Sequence, residues 1–250
     1  MLVRERVVQN LADYFNVLSA GLRPAEEYWF RGHASLTWKL KPSALRYPTE
    51  ARRNDALALI GEFKRIAEIK LPRVPDPTDD LRWVQVAQHY GLPTRLLDWS
   101  ENPLVGLYFA AAELPKEDGL VFVVNPVALN RHTNPRLTRV LDGNKDGLVL
   151  KPYLTLTGRL TAKGTGPVAL DPVWNNDRIM LQQGTFTLHG SSRDGISPST
   201  PSLVGIPVLK EAKPRLVDEL QGVGVNEMTI YPELEHASRQ LKRRAGLASF

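Results

Sequence analysis

The chain contains no cysteine, which removes disulfides, thiolate nucleophiles and cysteine-based zinc sites from consideration. No stretch approaches the roughly 20 consecutive apolar residues that a membrane-spanning helix needs. The opening segment MLVRERVVQNLADYF interleaves charges with its apolar residues, and so lacks the uninterrupted apolar run of a signal peptide. The expected compartment is the cytoplasm, with no membrane partner. The five histidines, at positions 33, 89, 132, 189 and 236, show no metal-ligand spacing such as a pair one helical turn apart, and no metal is expected. Dinucleotide-binding GxGxxG, Walker, serine-nucleophile and RNP-type motifs are also missing. Only Gly164-Thr165-Gly166 has glycine-rich character, and it lacks both a third glycine and a lysine. No acidic cluster suited to two metal ions is visible, which disfavours a nuclease.

What is present suits a globular protein. With 250 residues, 42% of them hydrophobic, the chain can bury a substantial core. No repeat or composition shift marks a boundary, so residues 1–250 read as one domain. A net charge of +5 and a pI near 9.4 are compatible with an anionic ligand, a nucleotide or nucleic acid. An ordinary solvated surface accounts for most of that balance. The cluster Arg239, Lys242, Arg243 and Arg244 sits near a helix end, where the dipole favours it.

Periodicity predicts an α+β order. Val7, Leu11, Tyr14, Phe15 and Leu18 form a helical stripe ending near Gly21. Tyr28-Trp29-Phe30 reads as a buried strand stopping at Arg31-Gly32. A helix is predicted over 50–70, with Ala56, Leu59, Ile60, Phe63 and Ile66 inward. Another starts near Asp79, a candidate N-cap, and ends at Gly91. Pro103 opens a further helix. Residues 119–125 (GLVFVVN) are the clearest strand. Residues 126–177, rich in Pro, Gly, Asn and Thr, read as a loop-rich insertion or lid. Strands at 184–189, 203–209 and 228–231 and helices at 213–222 and 232–245 complete the order. The order is mixed α+β.

Candidate chemistry starts from charges set among apolar residues. Arginine is rarely buried without a partner, yet Arg31 follows three aromatics and Arg95 sits within Leu92-Pro93-Thr94-Arg95-Leu96-Leu97, with Asp98 between Leu97 and Trp99. A planar cationic fork held by apolar walls suits phosphate or carboxylate. Gly32 and Gly91 would let a ligand approach the backbone closely. Alternatively, Arg95 or Arg31 pairs with Asp98 as buried scaffolding. His89, with Gln88 and Tyr90, lies at a helix end, where it serves as an acid/base or ribose contact, or as a cap. In Arg178-Ile179-Met180-Leu181-Gln182-Gln183-Gly184-Thr185-Phe186, the two amides could hold ligand hydroxyls or satisfy loop backbone. Glu233 and Glu235 suit the first turn of a helix.

Together these segments resemble the FRG domain family. Trp29-Phe30-Arg31-Gly32-His33, with Trp38-Lys39-Leu40-Lys41-Pro42-Ser43 and Arg46, is similar to its Phe-Arg-Gly signature. Residues 88–99 (QHYGLPTRLLDW), continuing through Asn102-Pro103 to Tyr108-Phe109-Ala110, resemble its longest signature. Arg178 to Phe186 resembles its Gln-Gln-Gly-x-Phe block, and Thr229 to Leu234 its ending. The resemblance implies an α+β fold with a split, twisted mixed sheet and flanking helices, a layout similar to the arginine-class ADP-ribosyltransferases, with NAD as substrate and a protein or nucleic acid as acceptor. It also implies a role as an antiphage-defence or toxin effector. On that likeness Arg31, His89 and Gln183 are catalytic, with Arg31 anchoring phosphate, His89 contacting ribose and Gln183 orienting the sugar. Gly32, Thr94, Arg95, Asp98, Arg178 and Gln182 would bind ligand. The transferases carry a glutamate where this chain has Gln183 (or Gln182), so the hydrogen bond is kept and the charge lost. Asp98 could supply the missing carboxylate. The alternative function is a non-catalytic nucleotide- or nucleic-acid-binding module.

Overall fold

The computed structural model describes residues 7–154, 166–173, 177–190 and 194–247. Gly164 and Thr165 lie outside them, as do the side chains of Arg243 and Arg244. The elements are α1 (Leu11–Gly21), β1 (Trp29–His33), α2 (Glu50–Lys70), α3 (Asp80–His89), β2 (Leu96–Ser100), α4 (Pro103–Ala111), β3 (Gly119–Val124), α5 (Pro126–Thr133), β4 (Leu141–Asp142), α6 (Gly147–Leu150), β5 (Val168–Asp171), α7 (Asp177–Leu181), β6 (Gly184–Leu188), β7 (Leu203–Val208), α8 (Lys213–Gly222), α9 (Glu227–Ile230) and α10 (Leu234–Arg244). The fold is α+β: a seven-stranded mixed sheet, ordered β4-β5-β6-β2-β1-β3-β7, with helices flanking it. Every pairing is antiparallel except β4 with β5.

Local chemistry explains the boundaries. Short polar side chains accept from the free amides of the first helical turn: Asn10 for α1, Thr49 for α2, Asp79 for α3, Asn102 for α4 and Asn125 for α5. In α4 and α5 a proline follows the cap, where its missing N–H costs nothing. Gly91, at φ +85°, ends α3 in the left-handed conformation, with its own N–H on the Gln88 carbonyl and that of Leu92 on the Ala87 carbonyl. This glycine therefore shapes a helix end; a Cβ there would meet open space.

The strands are joined unevenly. β1 registers with β3 over five residue pairs and β2 with β6 over five, but β1 meets β2 only at Phe30↔Ser100. The sheet thus opens between β1 and β2 beyond that pair. On one face the core divides at the same place. Phe30, Val121, Val123 and Ile206 pack with Leu107 and Leu216, while Leu96, Phe186 and Leu188 pack with Ile60 and Val84. The opposite face carries a third cluster that bridges the opening, with Trp29, Leu97, Trp99 and Phe122 together. Burying apolar area on both faces is what holds the half-sheets together.

Several sequence expectations need correction. The described part of 126–177, expected as a loop-rich insertion or lid, contributes short elements to the sheet: β5 pairs with β6 and β4 extends it, while Leu141, Leu150 and Leu170 lie in the core. Its strands are too short to show periodicity. The strand expected at 228–231 is instead helix α9. Asn226 accepts from the amides of Met228 and Thr229, and Thr229 Oγ1 accepts from the Asn226 amide, a reciprocal cap that fixes a helical turn. In α2 the buried stripe runs through Arg53, Ala56, Leu57 and Ile60, leaving Leu59 and Ile66 exposed. Arg53 itself is buried because its Nη1 donates to the carbonyls of Tyr47 and Pro48. β2, where periodicity predicts no strand, pairs along its full length with β6.

Candidate functional site

The opening between β1 and β2 is where charge collects. Arg31 sits there with Nη1 donating to the Asp98 carbonyl at 2.6 Å and Nε to His33 Nε2 at 3.1 Å. Its Nη1 also stands 3.7 Å from the Asp98 carboxylate. Because β2 has diverged, the guanidinium satisfies a carbonyl that a continuous ladder would have paired with backbone. The arginine therefore holds the opening and faces it. Of the two scaffold pairings open on sequence, the structure forms Arg31 with Asp98, and Arg95 takes no part.

His33 accepts through Nε2, so its proton resides on Nδ1, 3.2 Å from the Trp38 carbonyl. Burial, and then the charges of Arg31 and Arg46, push its pKa down to about 3. His189 is likewise pushed to about 3 by burial and then by Arg31 and Arg95. It receives the Thr187 hydroxyl at 3.0 Å, and that hydroxyl accepts from Trp99 Nε1. Neutral imidazoles thus support the arginine without competing with its charge.

Around this point lie two adjoining cavities. The larger, about 630 Å3, is lined by Arg31, Lys39, Lys41, Arg46, Glu113 and Tyr231 among others. The smaller, about 120 Å3, is lined by Gln85, Gln88, His89, Asp98, Arg178 and Gln182 with the floor of β6. They meet at two contacts, Arg31 with Asp98, and Arg178 over the Tyr231 ring at 4.8 Å. Tyr231 is also stacked on His236, with ring centroids 4.1 Å apart, and His236 Nδ1 lies 3.0 Å from the buried Glu227 carboxylate. The segment leading into α10 therefore walls the cleft. Burial, and next the Arg178 charge, lower the pKa of His89.

The structure brings together Arg31, His89, Asp98, Arg178 and Gln182. Asp98 Oδ1 accepts from Gln88 Nε2 at 2.6 Å, which fixes the carboxylate between the two cavities. Gln182 Nε2 donates to the Ile230 carbonyl. Gln183 is placed elsewhere: it is exposed, at φ +45° in the turn before β6, and its carbonyl accepts from the Glu101 amide. It lines neither cavity. Thr94 is fully buried; its hydroxyl donates to Gln88 Oε1 and accepts from the Leu96 amide, so it braces α3 rather than meeting a ligand. Arg95 is only 3% exposed and faces Leu57, Ile60 and Val84 in the core under α2 and α3. Desolvation lowers its pKa to about 10. Gly32 borders the larger cavity, but its missing side chain serves packing: a Cβ would lie 2.0 Å from the Gly106 carbonyl oxygen in α4.

Some site residues escaped sequence reasoning. Gln85, Glu113 and Tyr231 were not singled out. The spacing of Gln85, Gln88 and His89, at i, i+3 and i+4 of one helix, is a signal that could have found the first. Lys213 reads as an ordinary helix start, yet it is 1% exposed and its Nζ donates to the carbonyls of Ala34, Glu113 and Leu114. It ties α8 to the ends of β1 and α4. Glu27, Glu101 and Asp171, far apart in sequence, gather their carboxylates within 4.8 Å of one another. Desolvation, and then Glu27, Glu101 and Asp142, raise Asp171 to about 6. All three are exposed, and exposed acidic groups gather often without an ion.

Fold and site together define an α+β protein with a cationic cleft at the opening of its sheet. Residues 26–119 match the model of the FRG domain family, and the chain carries an FRG domain there. The match includes Arg31, His89 and Asp98 but stops short of Arg178, Gln182 and Tyr231, which complete the cleft. No curated protein and no solved structure matches the chain. Among the described residues no helix is long and apolar enough to cross a membrane.

Proposed function

We propose that the cleft binds NAD and that the protein transfers its ADP-ribose to a macromolecular acceptor, on an ADP-ribosyltransferase-like version of the split-sheet fold. One observation carries this reading. Where β1 and β2 part, four cationic side chains (Arg31, Lys39, Lys41 and Arg46) line a cavity of about 630 Å3, large enough for a dinucleotide. A pyrophosphate is the ligand group that best matches such a charge set. Arg31 would anchor it, held in place in advance by the Asp98 carbonyl and His33.

In the reaction the bond between ribose C1′ and the nicotinamide nitrogen breaks, and its electron pair leaves with neutral nicotinamide. C1′ then bonds to the acceptor nucleophile, which loses a proton. Positive charge builds on the ribose as the leaving group departs, so a carboxylate fixed beforehand lowers the barrier. The exposed Gln183 is poorly placed for that task, and Asp98, pinned by Gln88 beside Arg31, is the group assigned to it. His89 and Gln182 would contact the ribose hydroxyls.

The test is nicotinamide release and transfer of labelled ADP-ribose, in wild type and Asp98→Asn. The variant should retain NAD affinity within a few fold and lose about 10²–10³ in rate. Wild-type protein that is folded yet silent to millimolar NAD would overturn the reading. Steeply salt-dependent binding of polynucleotide in its place would favour a nucleic-acid-binding module.

A further inference from the structure

Two glutamines one turn apart on α3 face the smaller cavity in different states. Gln88 is fully committed: Nε2 donates to Asp98 Oδ1, and Oε1 accepts from Thr94. Gln85 is only 2% exposed, lines the same cavity of about 120 Å3, and finds no hydrogen-bond partner for either Nε2 or Oε1. Each unpaired buried polar group costs folding free energy. A leucine of similar size would remove that cost. The unpaired amide is therefore expensive to the folded protein and useful only if something arrives to meet it.

We infer that the smaller cavity is a recognition pocket for a planar group presenting a donor and an acceptor side by side, read by the Gln85 amide. This rests on the proposed nucleotide cleft. A side-chain carboxamide offers one donor edge and one acceptor edge in a plane, and it pairs in bidentate fashion with the N6 amino group and N7 of adenine. A primary carboxamide, such as that of nicotinamide, presents the same pair. The cavity's volume exceeds what a few waters need and suits one heteroaromatic ring. Phe186 among its walls supplies the apolar contact such a ring requires. Asp98 lies between this pocket and Arg31, so a base seated here is continuous with phosphates in the larger cavity.

The experiment titrates AMP, IMP, nicotinamide and ADP-ribose into wild type, Gln85→Leu and Arg31→Ala. Seating of adenine gives AMP and ADP-ribose affinities that fall about tenfold or more in Gln85→Leu, with IMP, which lacks the amino group, weak throughout. Seating of the carboxamide gives nicotinamide binding that Gln85→Leu abolishes, with AMP unchanged. In either case Gln85→Leu without ligand melts at or above the wild-type temperature. Binding of every probe with equal affinity in wild type and Gln85→Leu overturns the pocket but leaves the cleft standing. No binding of any probe to folded wild type overturns both.

Discussion

Arg31 and Arg95 enter the sequence in similar company, each set among apolar residues, and the structure puts them to opposite uses. Arg31 lies where β1 and β2 part, and the missing ladder bonds give its guanidinium a carbonyl, an imidazole and a carboxylate to hold. Arg95 lies where β2 and β6 stay paired, so its side chain enters a closed core and Nη1 is left without a hydrogen bond. The teaching is that apolar flanks mark a constrained arginine without saying what constrains it. Whether the strand beside it continues or stops decides between a ligand-facing fork and a buried spacer.

The largest effect is expected from closing the space beside Arg31. Gly32→Ala should destabilise the fold by about 3 kcal/mol or more, because the Gly106 carbonyl oxygen already occupies the new methyl's place. Chemical denaturation would show it, and a wild-type midpoint would mean that α4 does not pack against β1 as described. Next in size, Lys213→Met should cost about 3 kcal/mol by stripping a donor from three buried carbonyls. The cleft should survive in the residual folded fraction, since Lys213 braces its rim without lining it.

Acid should erode the support behind Arg31 more than it affects the surface. His33 and His189 have folded pKa values of about 3 against an unfolded 6.5. The unfolded chain therefore binds more protons below pH 6.5, and stability falls progressively from there toward pH 3. Asp171, raised from 3.8 to about 6, acts in the opposite direction: the folded state takes up its proton first, which favours folding below pH 6. His89 and the carboxyls of Asp142, Asp146 and Glu219, all lowered, add to the loss, and the net slope is a loss on acidification. A melting temperature independent of pH between 6.5 and 4 would contradict the buried neutral imidazoles. The smallest effect belongs to Arg95→Met, which replaces a partly unsatisfied cation with a flexible apolar chain and should shift stability by no more than about 1 kcal/mol.

Much of this architecture was legible before the structure. Caps and prolines announced α3 and α4, and the continuous apolar run at Gly119–Val124 announced the fully buried β3. Arg31, His89, Asp98, Arg178 and Gln182 were named from sequence and do converge on one cleft. What stayed hidden depended on partners distant in the chain. The two-residue β4 has no period of its own to read and exists only because β5 lies alongside. Gln183 and Gln182 are indistinguishable as sequence neighbours. A left-handed turn at Gln183 sends one outward and leaves the other on the cavity wall. The same holds for Gln85, an ordinary helix residue until its unpaired amide is seen beside a cavity.

Isothermal titration of NAD into wild type, Arg31→Ala and Arg95→Met tests whether the opening in the sheet at Arg31 is the anion-binding site. Binding should weaken by about 100-fold or more in Arg31→Ala and stay within a few fold of wild type in Arg95→Met. Equal affinity in wild type and a folded Arg31→Ala, or a loss confined to Arg95→Met, would contradict the account.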